Sequence, residues 1–171
     1  MTGGSGYFGS LLIDKLLQNG YEVGSLDINK AKIIPKNVNF HKADIRDYEK
    51  LEKALKGYKI IFHNVAQVPL AKNNSLFWDV NVNGTKNICM SAIKNGIEKI
   101  VYTSSSAIYG IPELNPVKEN TTPSPGEKYG KAKLKGEEIC REFSQKGLHC
   151  SIIRPRTILG HGRLGIFSIL F

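Results

Sequence analysis

Three groups of residues have types and spacings suited to chemistry. Gly3, Gly6 and Gly9 recur at every third position of Met1-Thr2-Gly3-Gly4-Ser5-Gly6-Tyr7-Phe8-Gly9, which runs straight into an apolar-periodic segment. Glycines so spaced make a tight turn and let the backbone approach a phosphate. The helix N-terminus that follows supplies N–H groups with no internal partner. This chemistry suits the pyrophosphate of a dinucleotide. Asp27 stands eighteen residues beyond Gly9, at the end of the apolar run 22–26. An acid there accepts hydrogen bonds from adenosine ribose hydroxyls and repels a 2′-phosphate, which favours NAD over NADP. The alternative is a capping Asp in a turn; taken with the glycines, the ligand reading is preferred.

The second group is Tyr129-Gly130-Lys131-Ala132-Lys133, opening a helix over 129–146. Four residues are about one turn, so Tyr129 and Lys133 share a face roughly 6 Å apart along the axis. An ammonium so placed lowers a phenol's pKa and makes Tyr129 an acid–base candidate. An exposed pair would have the same spacing, and Lys131 and Lys135 are the solvated counterparts. The third group is the hydroxyl cluster Thr103-Ser104-Ser105-Ser106, at the carboxyl end of a strand over 99–102. Ligands bind at that end of parallel sheets. His63, alone on a strand, reads as a satisfied core residue.

The elements that must position these groups alternate. A helix is expected over 5–19, its apolar face carried by Phe8, Leu11, Leu12, Leu16 and, partly, Ile13. Strands follow over 22–26 and, as an edge, 38–43. An amphipathic helix spans 47–56 with Tyr48, Leu51 and Leu55. A buried strand over 59–63 then loosens into small residues at 64–67. A helix over 78–95 carries Val82, Cys89, Ala92 and Ile93, is interrupted early by Asn81 and Gly84, and leads to the strand over 99–102. The proline-rich stretch 111–125 is expected as an exposed loop. The last helix leads to a strand over 150–153. Gly20, Gly57, Gly96 and Gly147 each stand just past a helical pattern and before an apolar run. Four such stops predict alternating helix and strand: an α/β, doubly wound parallel sheet with helices on both faces.

The 171 residues, 41% hydrophobic and 23% charged, suit one domain with a real core, spanning 1–171. No run of eighteen apolar residues and no signal segment is present, so no membrane span and a cytoplasmic location are expected. The net charge of +9 comes from lysines scattered over helix faces and turns, with no basic block. It reads as a solvated surface rather than a nucleic-acid site. Cys89, Cys140 and Cys150 lack metal or redox spacing and are expected as reduced, partly buried thiols; no metal site is expected.

Together these residues resemble the extended short-chain dehydrogenase/reductase family, in particular its NAD-dependent epimerase/dehydratase group acting on nucleotide sugars. The resemblance covers essentially the whole chain. It is carried by the glycine turn, Asp27, Ala43-Asp44-Ile45, the segment 63–66, Asn81-Val82-Asn83-Gly84-Thr85, Ser104 through Gly110, Tyr129 through Lys133, and Arg154-Pro155. It implies a Rossmann-type sheet of order 3-2-1-4-5-6. Gly3, Gly6, Tyr7, Phe8 and Gly9 would hold the pyrophosphate, Asp27 the adenosine ribose, and Asp44 with Ile45 the adenine. Asn64, Val65 and Ala66 would pass beneath the cofactor, and Pro155 would approach the nicotinamide. Tyr129 would be the acid–base group, with Lys133 holding the nicotinamide ribose. Counting four residues back from Tyr109, as the family pattern does, selects Ser105 over Ser104 and Ser106 as the third catalytic hydroxyl.

The resemblance implies transient hydride transfer from a sugar hydroxyl carbon, with epimerisation of a nucleotide sugar as the first reading. The family's dehydratases carry an Asp-Glu pair after the catalytic hydroxyl; Ser106 and Ala107 stand there, which disfavours dehydration. The runner-up is a simple dehydrogenase or reductase, including a sterol-dehydrogenase-like activity. A non-catalytic NAD-binding module or an inactive truncated product is the reading from another class. The family pattern also implies a fragment, with the first strand largely missing and the C-terminal substrate lobe absent. Without that strand, ladder groups on the two strands flanking it would lose partners, and the apolar stretch 164–171 would be left uncovered. A homodimer through the helices at 78–95 and 126–146 is a further expectation of the resemblance.

Overall fold

In the computed structural model, residues 1–68, 75–113 and 115–160 are described. The apolar stretch at 164–171 lies outside the described residues. Five strands form the sheet: β1 (Val23–Asp27), β2 (Val38–Lys42), β3 (Ile60–His63), β4 (Lys99–Thr103) and β5 (His149–Ile153). All pairings are parallel; β1 pairs with β2, and β4 lies between β3 and β5. Helices α1 (Tyr7–Gln18), α2 (Tyr48–Ala54), α3 (Ser75–Trp78), α4 (Gly84–Lys94) and α5 (Lys128–Gln145) connect them.

The two halves of the sheet are joined by a single residue. Thr2 makes parallel bridges to both Leu26 of β1 and His63 of β3. The Thr2 N–H donates to the Phe62 carbonyl at 2.9 Å, and the Asn64 N–H donates back to the Thr2 carbonyl at 3.2 Å. On the other side, Leu26 N–H donates to the Met1 carbonyl at 2.8 Å and Gly3 N–H to the Leu26 carbonyl at 2.9 Å. The spatial order β2-β1-Thr2-β3-β4-β5 therefore reproduces the expected arrangement, with the stub at Thr2 in the place of the first strand. The expectation of orphaned ladder groups needs correction at the carboxyl ends, because this stub satisfies Leu26 and Phe62 there. That is the end where the functional residues stand.

Each face of the sheet has its own core. Ile13 of α1 packs with Val23 and Val38 on one face, against the partly buried Leu16 and Leu17. On the other, Leu26, Leu51, Ile61, Ile88, Ile100, Tyr102, Ile139 and Phe143 belong to one cluster built with α2, α4 and α5. The apolar faces expected for two helices shift in detail. Ile13 is the buried centre of α1 whereas Leu11 is exposed, and Ile93 of α4 is exposed as well. A helix at a sheet face covers a narrower stripe than its apolar residues span. The four glycine stops behave as expected: Gly20, Gly57, Gly96 and Gly147 all take positive φ, from 66° to 95°. The described parts of 111–125 form neither helix nor strand. Cys89, Cys140 and Cys150 are unbridged, the first two buried. Among the described residues no helix is long and apolar enough to cross a membrane.

Candidate active site

One cleft of about 580 Å³ opens at the carboxyl ends of the strands. It is lined by every residue singled out for a ligand or catalytic role: Gly3, Gly6, Tyr7, Phe8, Gly9, Asp27, Asp44, Ile45, Asn64, Val65, Ala66, Ser105, Tyr129, Lys133 and Pro155. The alternation of helix and strand brings these positions together from opposite ends of the chain.

The glycine turn is held from within at some positions and left open at another. A β-carbon on Gly9 would lie 2.1 Å from the Gly3 carbonyl oxygen, so α1 can seat on the turn only with glycine there. Gly3 takes φ +70° and lies close against the Asn64–Val65 backbone. At Gly6 a β-carbon would meet only the Gly3 oxygen, at 3.4 Å, and φ is −77°. Among the described residues nothing requires glycine at Gly6; a phosphate approaching the helix N-terminus would. Asp27 is tied to the same turn, its carboxylate accepting from Ser5 N–H at 3.1 Å and from Asn29 N–H at 3.3 Å. It therefore caps a turn and faces the cleft at once, so the two readings of this residue coexist. Asp44 accepts from the Arg46 backbone and side chain at 2.6–3.1 Å, and the guanidinium holds its carboxyl below the usual range.

The segment after β3 is clamped by Asn81, which is buried. Its side chain accepts from Gln67 N–H and donates to the Gln67 carbonyl, each at 3.0 Å. Asn81 lies in a wide-turn helical segment, Asp79–Asn83, between α3 and α4. Such bulges re-aim side chains within a helix and recur at functional sites. His63 is a satisfied core residue, as expected. Thr85 Oγ1 donates to the Asn81 carbonyl at 2.8 Å, so His63 Nε2–H donates to Thr85 Oγ1 (3.1 Å) and Nδ1 accepts from Thr2 Oγ1 (2.7 Å). Burial, with Lys133 nearby, lowers its pKa to about 3. His63 is neutral and unavailable for proton transfer at neutral pH.

On the opposite wall, Lys133 is buried and donates from Nζ to the Thr103 carbonyl at 2.8 Å. Its ammonium lies 5.0 Å from the Tyr102 ring centre and 5.9 Å from that of Tyr129. Burial lowers its pKa to about 8. Ser105 precedes a single 3₁₀ turn, Ser106–Tyr109, and its Oγ accepts from Ala107 N–H at 3.1 Å. That bond uses a lone pair and leaves the hydroxyl hydrogen to donate into the cleft. Ser104 is engaged elsewhere, donating to the buried Glu137 at 2.7 Å. Ser106 does not line the cleft. The helix bearing Tyr129 docks on the serine turn through Gly130, where a β-carbon would lie 2.4 Å from the Ala107 carbonyl oxygen.

Over residues 1–167 the sequence matches the NAD dependent epimerase/dehydratase family. The chain belongs to that family. It is 52% identical over its full length to the uncharacterized protein y4nG of Sinorhizobium fredii, of which it spans 43%. It is 33% identical, over 99% of its length, to the N-acetyl-alpha-D-glucosaminyl-diphospho-ditrans,octacis-undecaprenol 4-epimerase of Escherichia coli O157:H7, spanning 52% of that protein. Among solved structures, the UDP-glucose 4-epimerase of Thermotoga maritima with UDP-glucose superposes with a TM-score of 0.88 at 30% identity. The match covers 98% of this chain and 60% of that one. The chain thus spans about half the length of the curated relatives it matches.

This member of the epimerase/dehydratase family also contains a network that the sequence reading did not assign. Glu137, fully buried on α5, accepts from Ser104, from Arg141 and twice from Arg154, at 2.7–2.9 Å. Arg154 also donates to Tyr109 Oη at 2.6 Å and to the Glu119 carbonyl at 3.0 Å. Burial pushes Glu137 up, but the hydrogen bonds from Arg154 and Ser104 outweigh it and hold its carboxyl below the usual range. One signal was available. Tyr129, Lys133 and Glu137 recur at every fourth position, so an acid lay on the face already read as functional.

Proposed function

We propose that this chain is the cofactor half of a nucleotide-sugar epimerase-type oxidoreductase, with Tyr129 as its acid–base group. The observation that carries the reading is the convergence of Ser105, Tyr129 and Lys133 with the glycine turn and Asp27 in one cleft. The open approach at Gly6 fits a dinucleotide pyrophosphate, and Asp27 fits an adenosine ribose without a 2′-phosphate.

The glycine turn and Asp27 would hold NAD, which would supply hydride acceptance from a sugar hydroxyl carbon and hydride return to the opposite face of the resulting ketone. The chain's own residues manage the proton and the oxygen. Tyr129, ionised, takes the hydroxyl proton as the C–O bond gains carbonyl character, and gives it back on the return. Ser105 donates to the same oxygen and stabilises the charge that develops there, its lone pair fixed by Ala107 N–H. Lys133 adds positive charge beside the Tyr129 ring from a position fixed by Thr103. Dehydration would need an acid or base next to Ser105. Among the described residues the carboxylates lining the cleft are Asp27 and Asp44, at the glycine-turn half of the sheet.

The test is NADH binding by the purified chain, followed by interconversion of UDP-glucose and UDP-galactose, with Tyr129→Phe alongside. Binding with a loss of turnover of about 10²-fold or more in the variant is expected. A folded chain that fails to bind NADH, or a variant with undiminished turnover, overturns the reading.

A further inference from the structure

Arg156 is an exposed residue lining the same cleft as Ser105, Tyr129 and Lys133. Its backbone is fixed by a continuation of the sheet. Beyond the last paired residues of β4 and β5, Ser104 N–H donates to the Ile153 carbonyl at 2.8 Å and Ser106 N–H to the Pro155 carbonyl at 3.0 Å. Arg156 follows that anchor directly, so its side chain springs from a rigid point beside the Ser105 turn.

What sets Arg156 apart is its lack of an acceptor. Arg46, Arg141 and Arg154 each hold a carboxylate at 2.6–2.7 Å. Arg156 makes no ion pair or hydrogen bond among the described residues. The two carboxylates in the cleft do not serve it. Asp44 is taken by Arg46, and Asp27 ends β1, four strand positions from β5. At the usual spacing of parallel strands that separation is about 19 Å. The glycine turn follows Thr2, three positions from β5, or about 14 Å away. The planar, five-donor guanidinium lines the cleft next to the residue anchored to the Ser105 turn and matches an anion there, a carboxylate or a phosphoryl group.

We propose that Arg156 is the substrate-anion anchor of this site. Its guanidinium takes an anionic oxygen group of the substrate, either the diphosphate of a nucleotide sugar or the carboxylate of an acidic sugar. It does so within reach of the hydroxyl handled by Ser105 and Tyr129. The inference rests on the nucleotide-sugar reading above and narrows its substrate class.

The experiment is calorimetric titration of the NAD-loaded chain with UDP, UDP-glucose and UDP-glucuronate, on wild type and Arg156→Gln. The NADH affinity of each sample reports whether the cleft is intact. Loss of a charge-assisted bidentate contact weakens binding about tenfold or more. Weakening of all three ligands supports contact with the diphosphate, and weakening of UDP-glucuronate alone supports contact with the carboxylate. Equal affinities in wild type and variant for all three overturn the role of Arg156 and leave the nucleotide-sugar reading intact. If wild type binds NADH but none of the three ligands, the nucleotide-sugar reading fails, and the anchor with it.

Discussion

Lys133 donates from Nζ to the Thr103 carbonyl at 2.8 Å, and this one bond ties the helix that bears Tyr129 to the strand end that leads into Ser105. The ammonium making it is buried, and burial lowers its pKa to about 8. In the unfolded chain it returns to the ordinary value near 10.5. The folded state therefore binds the proton less tightly than the unfolded state. The resulting cost is full below pH 8 and vanishes as pH rises through about 10.5. Lys133→Met should stabilise the fold at pH 7 by about 1–3 kcal/mol, net of the lost hydrogen bond. The gain should shrink between pH 8 and 10.5 and be accompanied by loss of NADH binding. Denaturant midpoints across that range, with NADH titration at pH 7, check both. A variant less stable than wild type at every pH would contradict the burial cost.

His63 gives the opposite end of the pH scale. Its imidazole is held neutral, with a pKa near 3 in the fold against 6.5 when exposed. As pH falls below 6.5 the unfolded chain gains a proton that the folded chain refuses, so stability drops steadily toward pH 3. Between pH 6.5 and 5, ordinary carboxylates contribute little to this slope. His63→Gln, which preserves hydrogen-bonding atoms near Thr2 and Thr85, should flatten most of the fall in thermal midpoint over that window. An unchanged slope would assign the acid sensitivity to other groups, such as His41, whose pKa burial also lowers.

The glycine turn separates folding from binding at two neighbouring positions. Gly9→Ala places a methyl against the Gly3 carbonyl and should cost at least about 2 kcal/mol, read as a lower denaturation midpoint. Gly6→Ala meets no such obstacle and should leave stability within about 0.5 kcal/mol of wild type. Its methyl would project where the pyrophosphate is proposed to approach, so NADH affinity should fall about tenfold or more. Wild-type NADH affinity in Gly6→Ala would place the phosphate elsewhere.

The sequence made some of this arrangement visible because certain signals are local. A glycine that must take positive φ after a helix announces itself, as at Gly20 and Gly147, and a Tyr–Lys spacing of one turn fixes a shared face. Asp27 and the serine cluster were placed correctly because a strand end is a defined point in a parallel sheet. Other features depend on meetings between distant segments. That a single residue, Thr2, can bridge β1 and β3 is decided by backbone hydrogen bonds around Leu26 and Phe62, which no local pattern encodes. The exposure of Leu11 and Ile93 reflects how much of each helix its neighbours cover, and apolar periodicity leaves that open. Glu137 needed Arg154, seventeen residues away, before its burial made sense.

That last pair yields the most demanding prediction. Glu137 is fully buried and its two carboxylate oxygens are shared among Ser104, Arg141 and Arg154. Removing its charge leaves the Arg154 guanidinium, only partly exposed, without its main acceptor. Breaking a buried pair from one side costs about 3–5 kcal/mol, whereas replacing both members by apolar groups costs far less. Glu137→Gln should therefore lower stability sharply, and Glu137→Leu combined with Arg154→Leu should recover much of the loss. The coupling should also reach the serine turn, because Arg154 grips Tyr109 at the end of the turn that Ser105 begins. A double-mutant cycle on denaturation midpoints measures the pair. Additive effects of the two single changes would show that Glu137 and Arg154 act independently, despite the 2.7 Å between them.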